Sequence, residues 1–214
     1  METELDGSEL GTKEYWDSSY TREIGNYKNH GDVGEIWFDE DSQQRVIDWL
    51  VKQKIDKQAR VLDLGCGNGM FLVGLANEGY EQLTGVDYSA NAVELAKNIA
   101  QDNQMNITYK VADLTQPQDE LGAFDVVHDK GTYDAVSLCP ENPKEKRSLY
   151  LATVEKLLSS ADSLFVITSC NWTEDELVHS FAEKLVKYAT IPTPTFKFGG
   201  KVGNVVTSVV FKKR

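Results

Sequence analysis

Cysteine is scarce in this chain of 214 residues: there are three, Cys66, Cys139 and Cys170, and no two stand in C-x-x-C spacing. The three histidines form no H-x-x-x-H pair. Neither a disulfide framework nor a zinc site is suggested, and reduced, buried thiols are expected. Long apolar runs are missing too. No stretch approaches the roughly 18 consecutive apolar residues of a membrane span, and the polar opening METELDGSEL lacks the apolar core of a secretory signal. The expectation is an intracellular protein with no membrane partner. Positive charge is the third shortage. Twenty-two Lys and Arg stand against 34 Asp and Glu, a net charge of -12 with pI near 4.7. Such a field repels nucleic-acid phosphates and anionic lipid and attracts a basic partner, while also serving plain solvation. The closing FKKR is too short to act as a nucleic-acid patch.

A hydrophobic share of 41% and a charged share of 26% fit one globular domain spanning 1–214. No repeat or low-complexity linker divides it. Residues 1–12 read as disordered and 13–58 as an N-terminal helical or lid segment. After that, strand-like and helix-like periods alternate. RVLDL is a β-branched run closing on Gly65, and GMFLVGLANEGY has helical spacing through Phe71, Leu72 and Leu75. LTGVDY is the second strand. In SANAVELAKNIAQDN, Ser89 is placed to cap a helix whose apolar side is Val93, Leu95, Ala96, Ile99 and Ala100. ITYKVADL and FDVVHD read as strands three and four. A helix from about Pro143 to Leu158, the strand SLFVITSC and a helix from about Glu174 to Lys187 capped by Thr173 follow. The ending IPTPTFKFGGKVGNVVTSVVFKK reads as a terminal antiparallel hairpin. This is an α/β plan: a mostly parallel sheet covered by helices on both faces, with ligands outside the carboxyl ends of its strands.

The first strand-to-helix turn of such a sheet is where a cofactor would sit, and here it reads VLDLGCGNGMF. Gly65, Gly67 and Gly69 permit positive φ and let backbone amides approach a ligand. A tight turn needing glycine for geometry alone is the plainer reading. Asp87, at the end of the second strand and eighteen residues beyond Gly69, adds a second feature, a carboxylate near the spacing expected for binding ribose hydroxyls. The loop is GCGNG rather than GxGxxG, and Asp63 just upstream would repel a pyrophosphate but suit a ligand carrying a positive amino group.

DLGCGNG resembles motif I of the class I S-adenosylmethionine-dependent methyltransferases. That resemblance implies a Rossmann-like fold with a seven-stranded sheet and S-adenosylmethionine as cofactor, leaving S-adenosylhomocysteine as product. It places Asp63, Gly65 and Gly67 beside the methionine part, Asp87 at the ribose and Asp113, in VADL, by the adenine. Tyr88, Leu114 and Asn68, their neighbours in these segments, count with the cofactor-binding set, although Asn68 alone reads as loop filling. Trp37 in GEIWF, with Glu35 and Phe38, would fold over the cofactor as a lid or simply pack on the core.

Strand four runs into HDKGT, where an acceptor should meet the cofactor. Asp129, Lys130, Gly131 and Thr132 resemble the DKGT-type sequence of a methyltransferase branch that includes protein lysine methyltransferases. With GTKEYWDSSY, GDVGEIWF, ITSCNWT and IPTPTFKFGGKVGN, the resemblance to the elongation factor 1-alpha lysine methyltransferases runs nearly end to end. It implies a cytoplasmic enzyme, with the nucleus as a second location, acting on a lysine of a basic translation factor; a monomer is expected. Asp129 would serve as the acceptor-side carboxylate and in cofactor contact, or only cap a turn. Asn171 and Trp172 would form one wall of an acceptor channel, or cap a helix and pack in the core. Lys130 reads as a structural salt bridge, Thr132 as a helix cap, and Tyr133 and Asp134 as structural. No clustered acids suggest a metal, so transfer is expected to be metal independent. A small-molecule methyltransferase of the same fold and a noncatalytic cofactor-binding module stay open beside this reading.

Overall fold

The computed structural model describes residues 4–198 and 201–214. Its main sheet has seven strands in the order β3-β2-β1-β4-β5-β9-β6. β1 (Arg60–Leu64), β2 (Gln82–Asp87), β3 (Thr108–Val111), β4 (Val126–Lys130) and β5 (Leu164–Ser169) are parallel, with Leu64 opposite both Val86 and Asp129. Their carboxyl ends therefore point the same way. The order reverses between β1 and β4, and a crevice opens at such a switch point.

Alternation along the strands decides which residues face which layer. Leu62 and Leu64 of β1 and Val127 of β4 join a core beneath α5 (Thr132–Ser137), α6 (Pro143–Leu157) and α7 (Glu174–Phe181). Val61 and Val126 join the opposite core, covered by α2 (Asp39–Lys52), α3 (Met70–Asn77) and α4 (Ala90–Asp102). α1 (Lys13–His30) carries Trp16, Tyr20, Ile24 and Tyr27 at helical spacing and lays them on Ala92, Leu95 and Ile99 of α4. The caps agree with the sequence reading where side chains could announce them. Ser89 accepts the Ala92 N–H, and Thr173 with Glu176 forms a reciprocal capping box. The Rossmann-like arrangement implied by the glycine turn is the one present.

The carboxyl-terminal part departs in detail. The helix expected to reach Lys187 ends at Phe181, and Leu185–Ile191 is β6. Its β-branched residues gain more by pairing with β9 (Thr207–Lys213) than by extending α7, because β9 runs antiparallel between β5 and β6 and satisfies both edges. The terminal hairpin is thus β6 with β9. The proline-containing stretch between them supplies β7 (Thr195–Phe198) and β8 (Lys201–Asn204), a separate two-stranded ribbon. Gly199 and Gly200 of the expected turn lie outside the described residues.

The amino-terminal stretch also departs from expectation. Residues 1–3 lie outside the described residues, but Glu4–Thr12 is packed rather than disordered. Arg147 is buried and needs a counter-charge, which Glu4 supplies through two hydrogen bonds of 2.9 and 3.3 Å. The Ser8 N–H donates to Leu138 O at 2.9 Å, and Gly11 passes so close to the Leu138 backbone that a Cβ would collide with it. α1 and α2 both fall within the expected helical segment 13–58. Among the described residues no helix is long and apolar enough to cross a membrane.

Phe181 closes α7 against Tyr133, Phe165 and Phe211 and is almost fully buried. Phe181→Ala should cost about 3–5 kcal/mol in urea unfolding. Tyr188→Ala, at a residue 52% exposed on β6, should change stability by about 0.5 kcal/mol or less.

Candidate active site

A cavity of about 540 Å³ opens at the carboxyl ends of the strands, within the size range of ligand pockets. Its floor is the turn from β1 into α3. Gly65 there has φ 62°, and a Cβ on it would collide with Thr132 Oγ1, so the glycine is required by packing as well as by conformation. The Thr132 hydroxyl donates to Leu64 O at 2.7 Å, pinning the start of α5 to the end of β1. Thr132 is therefore a tie between elements rather than the expected helix cap. Gly67 offers its N–H to Asp87 Oδ2 at 3.1 Å. Asn68 lines the cavity, yet its amide donates to Val33 O and Glu35 O and accepts from the Met70 N–H, stitching the segment before α2 to the turn.

Asp87 is buried on the cavity wall with Oδ1 on the Ser89 N–H at 2.9 Å, and burial pushes its pKa up to about 6. Tyr88 and Leu114 flank it, and the Tyr88 hydroxyl donates to Thr12 O across the opening. Asp113 lines the same end, with Oδ1 accepting both the Thr115 N–H and its hydroxyl. Trp37 lies on the wall too, packed edge-on against Trp16 at 5.0 Å.

Asp63 does not reach the cavity lining. It lies buried beneath the turn with Oδ1 2.7 Å from His128 Nδ1, and the His128 ring stacks on Phe71 of α3. Burial lowers the His128 pKa, so a neutral imidazole donating to Asp63 is the arrangement. Its role is to brace the floor from below, a correction to the expected direct cofactor contact.

Two further expectations are corrected at the ends of β4 and β5. Asp129 is fully buried and absent from the cavity wall. Its oxygens accept the N–H groups of Thr132 and Tyr133, both at 2.9 Å, and the hydroxyl of Tyr150. That is the capping alternative: Gly131, φ 85°, begins α5 without a side-chain cap, and the carboxylate two residues earlier takes over. Burial pushes the Asp129 pKa up to about 7. Trp172 is buried against Tyr133, with its indole N–H on Ser137 Oγ, and is a core residue rather than a channel wall. Asn171 does line the cavity. Lys130 lines it as well, but donates to Trp37 O at 3.0 Å instead of forming the expected salt bridge, and burial lowers its pKa.

The acid on this wall is Asp134, read from sequence as structural; its place follows from the first turn of α5 turning it toward the β5 loop. Leu10–Glu14 and Trp16 were missed as lining for lack of an expected partner for the amino-terminal stretch, although Thr12 before KEYWDSSY is a legible helix cap. Six carboxylates, Glu14, Glu35, Asp87, Asp113, Asp134 and Glu141, face three ammonium groups, Lys13, Lys130 and Lys146.

Residues 55–208 match the methyltransferase domain family. The chain is 49% identical to EEF1A lysine methyltransferase 2 of Danio rerio over 207 residues, 96% of this chain and 88% of that protein. It is 45% identical to the protein of the same name in Homo sapiens, over 96% and 87%. The chain belongs to the EEF1A lysine methyltransferase 2 family. The protein-lysine N-methyltransferase EFM4 of Saccharomyces cerevisiae is a further relative of this methyltransferase, 40% identical over 99% and 97% of the two chains. In fold it is similar to magnesium protoporphyrin IX methyltransferase from Synechocystis PCC 6803 with bound S-adenosylmethionine, with a TM-score of 0.67 and 19% identity over the whole of both chains.

The cofactor of this methyltransferase is S-adenosylmethionine, and the cavity suits it. Asp87 is a buried acceptor with lone pairs left for ribose hydroxyls, Leu114 and Ala112 give an apolar surface beside Asp113, and the surplus of acids suits a positively charged ligand.

Two outcomes test this geometry. Ribose hydroxyls donate to an ionised Asp87, so the complex binds fewer protons than the free protein and affinity must rise with pH through about 6. Calorimetry with S-adenosylhomocysteine should show about fourfold tighter binding at about pH 7.5 than at about pH 5.5, with Asp87→Asn flattening the difference. Asp129→Ala leaves two buried donors and the half-buried Thr132 N–H without their acceptor and should cost about 2–5 kcal/mol in urea unfolding. A normal stability with lost methyl transfer would restore Asp129 to the chemistry.

Proposed function

We propose that this enzyme transfers the methyl group of S-adenosylmethionine to a lysine side chain of translation elongation factor 1A. The observation that carries the reading is the extent of the similarity. A match over 55–208 would fit many methyltransferases, but the lysine methyltransferases align over 96–99% of the chain and so include most of residues 1–54. That segment supplies Leu10–Glu14, Trp16, Glu35 and Trp37 to the cavity wall.

The bound cofactor supplies an electrophilic methyl group on a positively charged sulfur. The chain must supply a neutral amine aligned with it. A free lysine has a pKa near 10.4, so making it neutral at pH 7 costs about 4.6 kcal/mol. Negative potential from the cavity wall draws the ammonium in, and the open mouth lets its proton leave to water. Trp37 and Phe38 present ring surface beside Lys130 and Gly131, suited to the methylene stem of a lysine and to a methylated ammonium. Lys130 holds the Trp37 carbonyl, which keeps this aromatic wall in place. The segment from Glu4 to Tyr20 adjoins this wall through Trp16 and covers the cofactor end of the cavity.

Incubation of the purified enzyme with methyl-labelled S-adenosylmethionine and purified elongation factor 1A, followed by hydrolysis to amino acids, should place the label in methyllysine. Asp87→Ala should abolish it. Label appearing only in small molecules when a cell extract is used would overturn the reading.

A further inference from the structure

Of the buried acids near the cavity, Asp63 has His128, Asp129 has Tyr150 and the start of α5, and Asp87 faces the cofactor end. Asp134 is different. It is 4% exposed, lines the cavity beside Cys170 and Asn171, and sits where β4 and β5 end. Its carboxylate accepts the Ser169 hydroxyl at 2.6 Å, the Cys170 N–H at 3.1 Å and the Asn171 N–H at 3.3 Å. All three donors are neutral. Among the described residues no ion pair to Asp134 is formed. Burial raises its pKa against the opposing pull of these three hydrogen bonds. Holding the β5 loop uses both oxygens as acceptors, yet none of its donors carries a charge. An unmatched negative charge bordering the cavity is instead what an entering ammonium requires.

We infer that Asp134 receives the ε-amino group of the target lysine and is the acceptor-side catalytic residue of this enzyme. The inference rests on the lysine reading above. The ammonium gives one proton to water at the mouth, and one of the remaining N–H bonds points at Asp134, which turns the lone pair toward the methyl carbon. The nitrogen–carbon bond forms as the sulfur–carbon bond breaks, and that bond's electron pair stays on sulfur. The positive charge passes from sulfur to nitrogen, where the carboxylate offsets it. Ser169 and the two backbone N–H groups fix the direction of the carboxylate through the step.

Asp134→Asn separates charge from shape. Its amide oxygen keeps the Cys170 contact, while the Ser169 hydroxyl and the Asn171 N–H, both held by the other carboxylate oxygen, lose that acceptor. With full-length enzyme and elongation factor 1A, kcat should fall about 100-fold or more. Affinity for S-adenosylhomocysteine should stay within about threefold of the unaltered enzyme, because Asp87 and the glycine turn are untouched. A kcat within about threefold of the unaltered enzyme would overturn the assignment. If the variant loses its fold, a crystal structure of the unaltered enzyme with S-adenosylhomocysteine and a peptide containing the labelled lysine decides. An amine nitrogen within about 3.2 Å of an Asp134 oxygen supports the inference, and one bonded to other groups alone overturns it. Unaltered enzyme that labels no lysine would instead sink the lysine reading, and this inference with it.

Discussion

A carboxylate taken out of water must be met by donors, and the turn that follows β4 is organised around meeting that demand for Asp129. Its oxygens collect two backbone N–H groups of α5 and the hydroxyl of Tyr150, twenty-one residues on in α6. With α5 held at its start, Thr132 reaches Leu64 O and fastens the turn to the end of β1. That contact leaves no room for a side chain at residue 65. The glycine turn and the DKGT segment are thus two halves of one joint. Asp134, carried on the same short helix, can then meet the loop after β5.

The amino-terminal segment completes the site through polar ties as well as through the apolar face of α1. Asp17 accepts from Ser89, Tyr88 donates to Thr12 O, Asn68 holds the carbonyls of residues 33 and 35, and Lys130 holds that of Trp37. Glu4 fastens the far end to Arg147. No residue of Glu4–Thr12 is buried, and stretches of that kind sit at the low-stability end of a fold, where opening costs least. Passage of ligands through this side of the cavity is therefore compatible with a rigid sheet beneath it.

Local patterns made the sheet, the glycine turn and the end of β2 legible. RVLDL and LTGVDY read as short strands buried almost throughout, and Ser89 and Thr173 announce helices through their own side chains. What escaped depends on partners distant in sequence. Leu185–Ile191 suits helix or strand until β9 is present to pair with it. Glu4 reads as part of a disordered start until Arg147, 143 residues later, is found buried opposite it. Asp129 and Asp134 are both acids of one short segment, and nothing local says which faces the cavity. Tyr150 decides it by occupying Asp129, and the β5 loop decides it by framing Asp134. Asp63 escaped in the same way, because its partner His128 enters from β4.

The imbalance of six carboxylates against three ammonium groups on the cavity wall has a further effect over a catalytic cycle. A sulfonium enters and a neutral thioether leaves, while the positive charge moves onto the methylated amine. The Coulomb attraction of this wall thus acts on the sulfonium of the donor and on the methylated ammonium, and not on the thioether sulfur left behind.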